Sequence, residues 1–169
     1  MSVTFAPEAL HVIGHDLELR GIKTFLIRWE ADLYVVEGGY QSPPAATPVT
    51  LHYTLNDIEQ LDHEGRERND QVPGKDFLSL AQLFWAVGTY VIGKGARLLS
   101  VSNHASTEKR PAVNIEYQTV EGERVIEDLA GSAIYELCIR VYKLRGKSSI
   151  KNIRYTRFSS LQENSSARR

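Results

Sequence analysis

The chain has 169 residues, 42% of them hydrophobic and 24% charged, with a formal net charge of −1. That length makes one ordinary domain or two small ones, and it can bury roughly 68–70% of its unfolded surface without staples. The balance signals neither a disordered chain nor a polyanion-binding one, while the single cysteine, Cys138, excludes an intrachain disulfide and falls one thiol short of a cysteine-based metal pair.

A reducing, cytoplasmic setting follows from that cysteine usage. Residues 1–8 lack a basic region followed by an apolar run, so no signal peptide is read. The longest apolar region, 77–92, is interrupted by Ser79, Gln82, Thr89 and Tyr90 and is too short to span ~30 Å of hydrocarbon. No membrane partner is expected. Charge is uneven: residues 147–169 hold six basic side chains and one acid, which leaves the rest of the chain acidic.

Pro7 at a first turn, then Leu10, Ile13 and Leu17, give the spacing of a helix with one buried stripe, and Gly21 supplies the left-handed residue that stops it. From Thr24 to Trp29 the period changes to two, a strand with Phe25, Ile27 and Trp29 on one face. Residues 33–36 make a second strand with Gly38 and Gly39 as its bulge or exit, the prolines of 42–48 make a loop, and 49–53 alternate as a third strand. Thr54 with Asp57 predicts the cap of a helix over 54–68 whose stripe is Leu55, Ile58 and Leu61. The run from Asp62 to Gln71 has no apolar residue and reads as a linker.

The second half repeats the order. A strongly apolar helix over 76–94 ends at Gly95; strands follow at 97–102, 113–118 and 124–128, the last two joined by a turn at Gly122. Ser132 caps a helix with the stripe Ile134, Leu137, Val141 and Leu144, which stops at Gly146, and 150–158 adds one more strand.

Gly88 lies 74 residues beyond Gly14 and Gly95 lies 74 beyond Gly21. At that interval Leu10 matches Phe84, Ile13 matches Val87, Leu17 matches Val91, Phe25 matches Leu99, Ile27 matches Val101, and the basic pair Arg20 and Lys23 matches Lys94 and Arg97. The fold class expected is therefore α+β: an internal duplication of a helix-strand-strand-strand-helix half, 1–70 and 71–146, followed by a basic tail, 147–169. The antiparallel sheet carries helices on one face. The first helices of the two halves are expected to cross at Gly14 and Gly88, with Gly21 and Gly95 as helix stops.

No catalytic, metal or cofactor site emerges from the residues. His11 and His15 have the four-residue spacing of a zinc pair, but with Glu8 and Glu18 they form the face opposite the apolar stripe and read as solvated. The element order matches nuclease cores, yet Glu116 and Glu127 lack the Glu-x-Lys partner that holds a divalent metal. Asp32 and Glu37 lack it too. Gly93-Lys94-Gly95 reads as a helix terminus rather than a phosphate loop, and Cys138 as a small buried side chain. Cations and rings alternate at Lys151, Arg154, Tyr155 and Arg157, the strongest nucleic-acid candidate, although an edge strand explains the same pattern.

The function expected is that of a non-catalytic binding or regulatory protein acting through protein contacts, itself included as a homodimer partner through sheet edges or the 76–94 helix. The alternative is a nucleic-acid-associated module with a degenerate nuclease-like core.

Overall fold

The computed structural model describes residues 7–144 apart from 31, 44–47, 66–78 and 108. In chain order the elements are α1 (Pro7–Leu19), β1 (Thr24–Glu30), β2 (Leu33–Gly39), β3 (Val49–Tyr53), α2 (Leu55–Gly65), α3 (Leu80–Gly93), β4 (Arg97–Ser102), β5 (Ala112–Gln118), β6 (Arg124–Ala130) and α4 (Ser132–Leu144). The strands form one six-stranded sheet in the order β3-β2-β1-β4-β5-β6, antiparallel at every pairing. The protein is α+β. The predicted strand 150–158, the stop at Gly146 and the last residues of the 54–68 helix lie outside the described residues.

Both first helices end the same way. At α1 the amide of Ile22 donates to the Leu17 carbonyl at 2.9 Å and that of Gly21 to Glu18 at 3.1 Å; at α3 Ala96 donates to Val91 at 3.2 Å and Gly95 to Ile92 at 2.9 Å. Gly21 and Gly95 take φ values of +76° and +71°, a conformation that costs an L side chain energy but costs glycine little. At the start of α3, Ser79 and Gln82 form a reciprocal capping box. Glu18 Oε2, at the end of α1, accepts from the Leu80 amide at 2.9 Å, so one helix's terminus closes the other's.

A single core joins helices and sheet. Leu10, Ile13, Leu17, Phe84, Val87 and Val91 are buried together with Phe25, Ile27, Val36, Val101 and Ile115. Each such side chain removed from water contributes about 1.5–3 kcal/mol. The Phe25 and Phe84 rings meet edge to face, 4.8 Å between centroids. Helix α3 is apolar nearly all round because α1 and α4 both pack on it and β4 lies below. Its buried residues, Leu83 to Gly88 among them, are thus consumed within the chain and offer no face to a second copy.

Four details depart from the sequence reading. Strand β2 runs through Gly38 and Gly39, which pair with Phe25 and Thr24 in unbroken register; a Cβ at 38 would stand 2.6 Å from the Thr24 carbonyl oxygen, so glycine serves the close strand approach rather than a bulge or an exit. A register shift between Leu98 and Ser100 turns Leu98 into the core in place of Leu99. His11 is buried rather than solvated, because α1 sits between α2 and α3. Asp62, read as the start of a linker, is buried within α2, one turn beyond Ile58 on the same side of a helix packed on α1 and β3.

Candidate interaction surface

Strand alternation sorts the sheet into rungs that cross all six strands. The rung Leu51-Val36-Ile27-Val101-Ile115-Glu127 belongs to the core side. On either side of it lie two rungs that point the other way: Thr50-Glu37-Leu26-Ser102-Asn114-Asp128 and His52-Val35-Arg28-Ser100-Glu116-Ile126. Apart from buried Val35, those two rungs are exposed or partly exposed.

This outer face is a pre-paired field of charge. Arg28 holds Glu37 through both terminal nitrogens, at 3.0 and 3.2 Å, and its Nε reaches Glu30 at 2.6 Å. The Arg28 guanidinium, with a smaller contribution from His104, holds the Glu37 carboxyl below its ordinary range. Arg124 bonds Glu116, and Arg110 approaches Asp128 at 3.8 Å. Three cations, Arg28, Arg110 and Arg124, are thus each engaged by the acids Glu30, Glu37, Glu116 and Asp128. The surface is mixed in charge.

On the core side, two tyrosine–acid pairs each tie a helix to a strand. The Tyr53 hydroxyl donates to Asp16 Oδ2 at 2.6 Å, and Arg20 Nε holds the same oxygen at 2.8 Å. In the second half the Tyr90 hydroxyl donates to Glu127 Oε1 at 3.1 Å, and Lys94 lies 4.6 Å from the centre of the Tyr90 ring. Burial, then the Asp16 hydrogen bond and charge, raise the Tyr53 hydroxyl above the ordinary tyrosine range, so it remains a donor. These clusters fasten α1 to β3 and α3 to β6. They are latches rather than reactive sites.

Comparison with known proteins gives no match. No family, no curated protein and no solved structure resembles the chain closely enough to be paired with it.

The residues singled out from the sequence do not converge. Glu116 lies on the outer face and Glu127 on the core side, so the two carboxylates cannot hold one metal. Asp32 sits in the β1–β2 turn with a φ of 68°, and Glu37 is bound to Arg28. Among the described residues no three of His, Cys, Asp and Glu gather as a metal site would require. Cys138 is buried, and burial pushes its thiol up to about 12. Lys94 and Gly95 lie at the α3 terminus, where Ile92, Gly95, Ala96, Arg97, Leu98, Gln118 and Thr119 line a hollow of about 180 Å³, below the roughly 300–1,000 Å³ of small-molecule sites. Lys151, Arg154, Tyr155 and Arg157 lie outside the described residues.

Sequence reasoning missed the two latches and Asn103. That side chain accepts from the Phe25 amide at 2.8 Å and donates to the Lys23 carbonyl at 2.7 Å, which extends the β1–β4 seam past the last ladder pair. A signal for the latches exists: Tyr90 lies 74 residues beyond Asp16, Glu127 74 beyond Tyr53, and Lys94 74 beyond Arg20.

Proposed function

We propose that the protein is a non-catalytic protein-interaction scaffold: two copies of one αβββα plan about a pseudo-two-fold axis, with helices on one face of the sheet and a protein partner on the other. The axis runs between Ile27 and Val101, which are Cα partners 74 residues apart. Under the same interval Leu26 becomes Ser100 and Arg28 becomes Ser102, and the ladder pairs are Leu26 with Ser102 and Arg28 with Ser100. The helix contacts follow suit. A Cβ on Gly14 would meet Phe84, and a Cβ on Gly88 would meet Leu10, which stands 74 residues before Phe84.

The observation that carries the functional reading is the outer face of the sheet, where two rungs of polar and charged side chains, with Leu26, Val35 and Ile126 among them, cross six strands outside the core cluster. Arg28, Arg110 and Arg124 are each engaged by a carboxylate, which disfavours a polyphosphate ligand, because affinity for nucleic acid is built on cations that replace counterions. The face's mixture of paired charge, hydroxyl, amide and apolar groups suits a protein surface, whose rim is polar and whose centre is drier.

Site-specific photo-crosslinking in the cells that make the protein tests this. A photoreactive residue at Ser100 or Asn114, on the outer face, is expected to give a discrete protein adduct, and one at exposed Gln60, on α2, is expected to give none. Adducts to nucleic acid, or equal labelling from all three positions, would overturn the reading.

A further inference from the structure

Resting on that reading, we infer that β6 is the seam of a homodimer, in which two copies pair their β6 strands antiparallel about Ile126. Strand β6 ends the sheet on one side: β5 is its neighbour, and nothing among the described strands pairs its outer edge. Seven residues long, it pairs with β5 in unbroken register and contains neither proline nor glycine, the residues that interrupt an edge. It also bears an anomaly. Among the described residues Leu19, Tyr40, Ile92, Val120 and Ile126 are the exposed large apolar side chains, and of these Ile126, 70% exposed, is the one in the middle of a strand.

The pattern Arg124-x-Ile126-x-Asp128 is self-complementary. Turning a second copy by half a rotation about Ile126 sets isoleucine against isoleucine, and sets each Arg124 opposite the other copy's Asp128. All three side chains point to the outer face, where directly opposed strand neighbours lie roughly 4.5–5.5 Å apart at Cβ. Within one chain the two charges cannot meet, since four strand residues separate them by about 13 Å. A register one residue over, centred on Glu127, would oppose like charges and leave Ile126 against Asp128. The β3 edge has no such pattern: centred on Leu51 it sets Thr50 against His52, and Pro48 precedes the strand. The charge order therefore selects both the edge and the register, and closure about a two-fold stops the sheet from growing further through that edge.

Charge reversal with rescue, read as molecular mass by sedimentation or light scattering of the full chain over a range of concentrations, tests the seam. The wild type is expected to pass from one chain to two as concentration rises. Arg124→Asp and Asp128→Arg should each weaken the dimer at least about tenfold in Kd, which equals about 1.4 kcal/mol. The double variant R124D/D128R should recover it, because the swapped charges again face each other. Glu116→Gln, which removes the intrachain partner of Arg124, should leave the mass unchanged and so separates the seam from local effects, with circular dichroism to check that every variant is folded. A wild type that stays monomeric, as it would if another segment of the chain covered the edge, or a double variant no better than the single ones, would overturn the seam. A monomer that still gives Ser100 or Asn114 adducts would retain the scaffold reading without the seam; a dimer without such adducts would do the opposite.

Discussion

Gly14 in α1 lies so close to Phe84 in α3 that a Cβ at position 14 would stand 2.8 Å from the ring and 2.7 Å from the Leu80 carbonyl oxygen. The second obstacle is backbone and cannot swing away. Gly14→Ala is therefore expected to destabilise the protein by about 1–3 kcal/mol through overpacking, against a helix-propensity gain of about 1 kcal/mol. At Gly88 the contacts are looser, 3.0 Å to Pro7 at the start of α1 and 3.1 Å to the Leu10 side chain. Gly88→Ala should thus cost less than Gly14→Ala. Urea titrations of the two variants decide it, and equal costs would contradict the crossing geometry.

That asymmetry shows how far the sequence could be read. Strand bounds such as Val49–Tyr53 and Arg97–Ser102 were legible because a buried face imposes period two, and the helix stops were legible because only glycine relaxes at positive φ. What a helix meets on its second side was not legible. His11 looked solvated because it opposes the stripe of Leu10, Ile13 and Leu17, but α1 has a helix on either flank and so buries more than one stripe. Likewise, the single residue inserted at Leu98–Ser100 is invisible to alternation, which assumes an unbroken ladder. The latches escaped because their roles are exchanged: acid on the helix and tyrosine on the strand in one half, the reverse in the other.

Removing the latch hydroxyls tests their weight. Tyr53→Phe and Tyr90→Phe each delete a hydrogen bond to a carboxylate, which is expected to cost about 1.5–3 kcal/mol. Asp16 keeps Arg20 after the first change, so Tyr53→Phe should be the milder variant. Thermal unfolding of both, with Asp16→Asn added to Tyr53→Phe as a double-mutant cycle, measures the coupling. Strictly additive effects would show that the pair contributes nothing as a pair.

The cap of α2 gives a pH dependence with a fixed sign. Asp57 accepts from the Thr54 amide at 2.8 Å and the Thr54 hydroxyl at 2.9 Å, while its own amide donates to that hydroxyl at 3.1 Å. The Thr54 amide first, then the hydroxyl, hold the Asp57 carboxyl below its ordinary value. A carboxyl depressed by folding contributes stability above its unfolded pKa and loses it as pH falls through the folded one. The stability gap between the wild type and Asp57→Asn should be fully present at neutral pH and close below about pH 4. Thr54→Ala should cost about 1 kcal/mol at neutral pH. A gap that widens on acidification would contradict the cap.

Cys138 is a reporter of the folded state. Buried in α4 with its thiol pushed up to about 12, it should resist a thiol reagent at neutral pH for as long as the chain is folded, and react fully in denaturant. Rapid labelling of the native protein would show that α4 does not seal that side of the core.

Amide hydrogen exchange on the full chain tests most directly whether the two halves form one body about the Ile27–Val101 pair. Amides of β1 and β4, together with those of α1 and α3, are expected to exchange slowest and to share one opening free energy, with the edge strands β3 and β6 faster. Separate opening free energies for residues 7–65 and 79–144, with β1 and β4 exposed when either half opens, would contradict it.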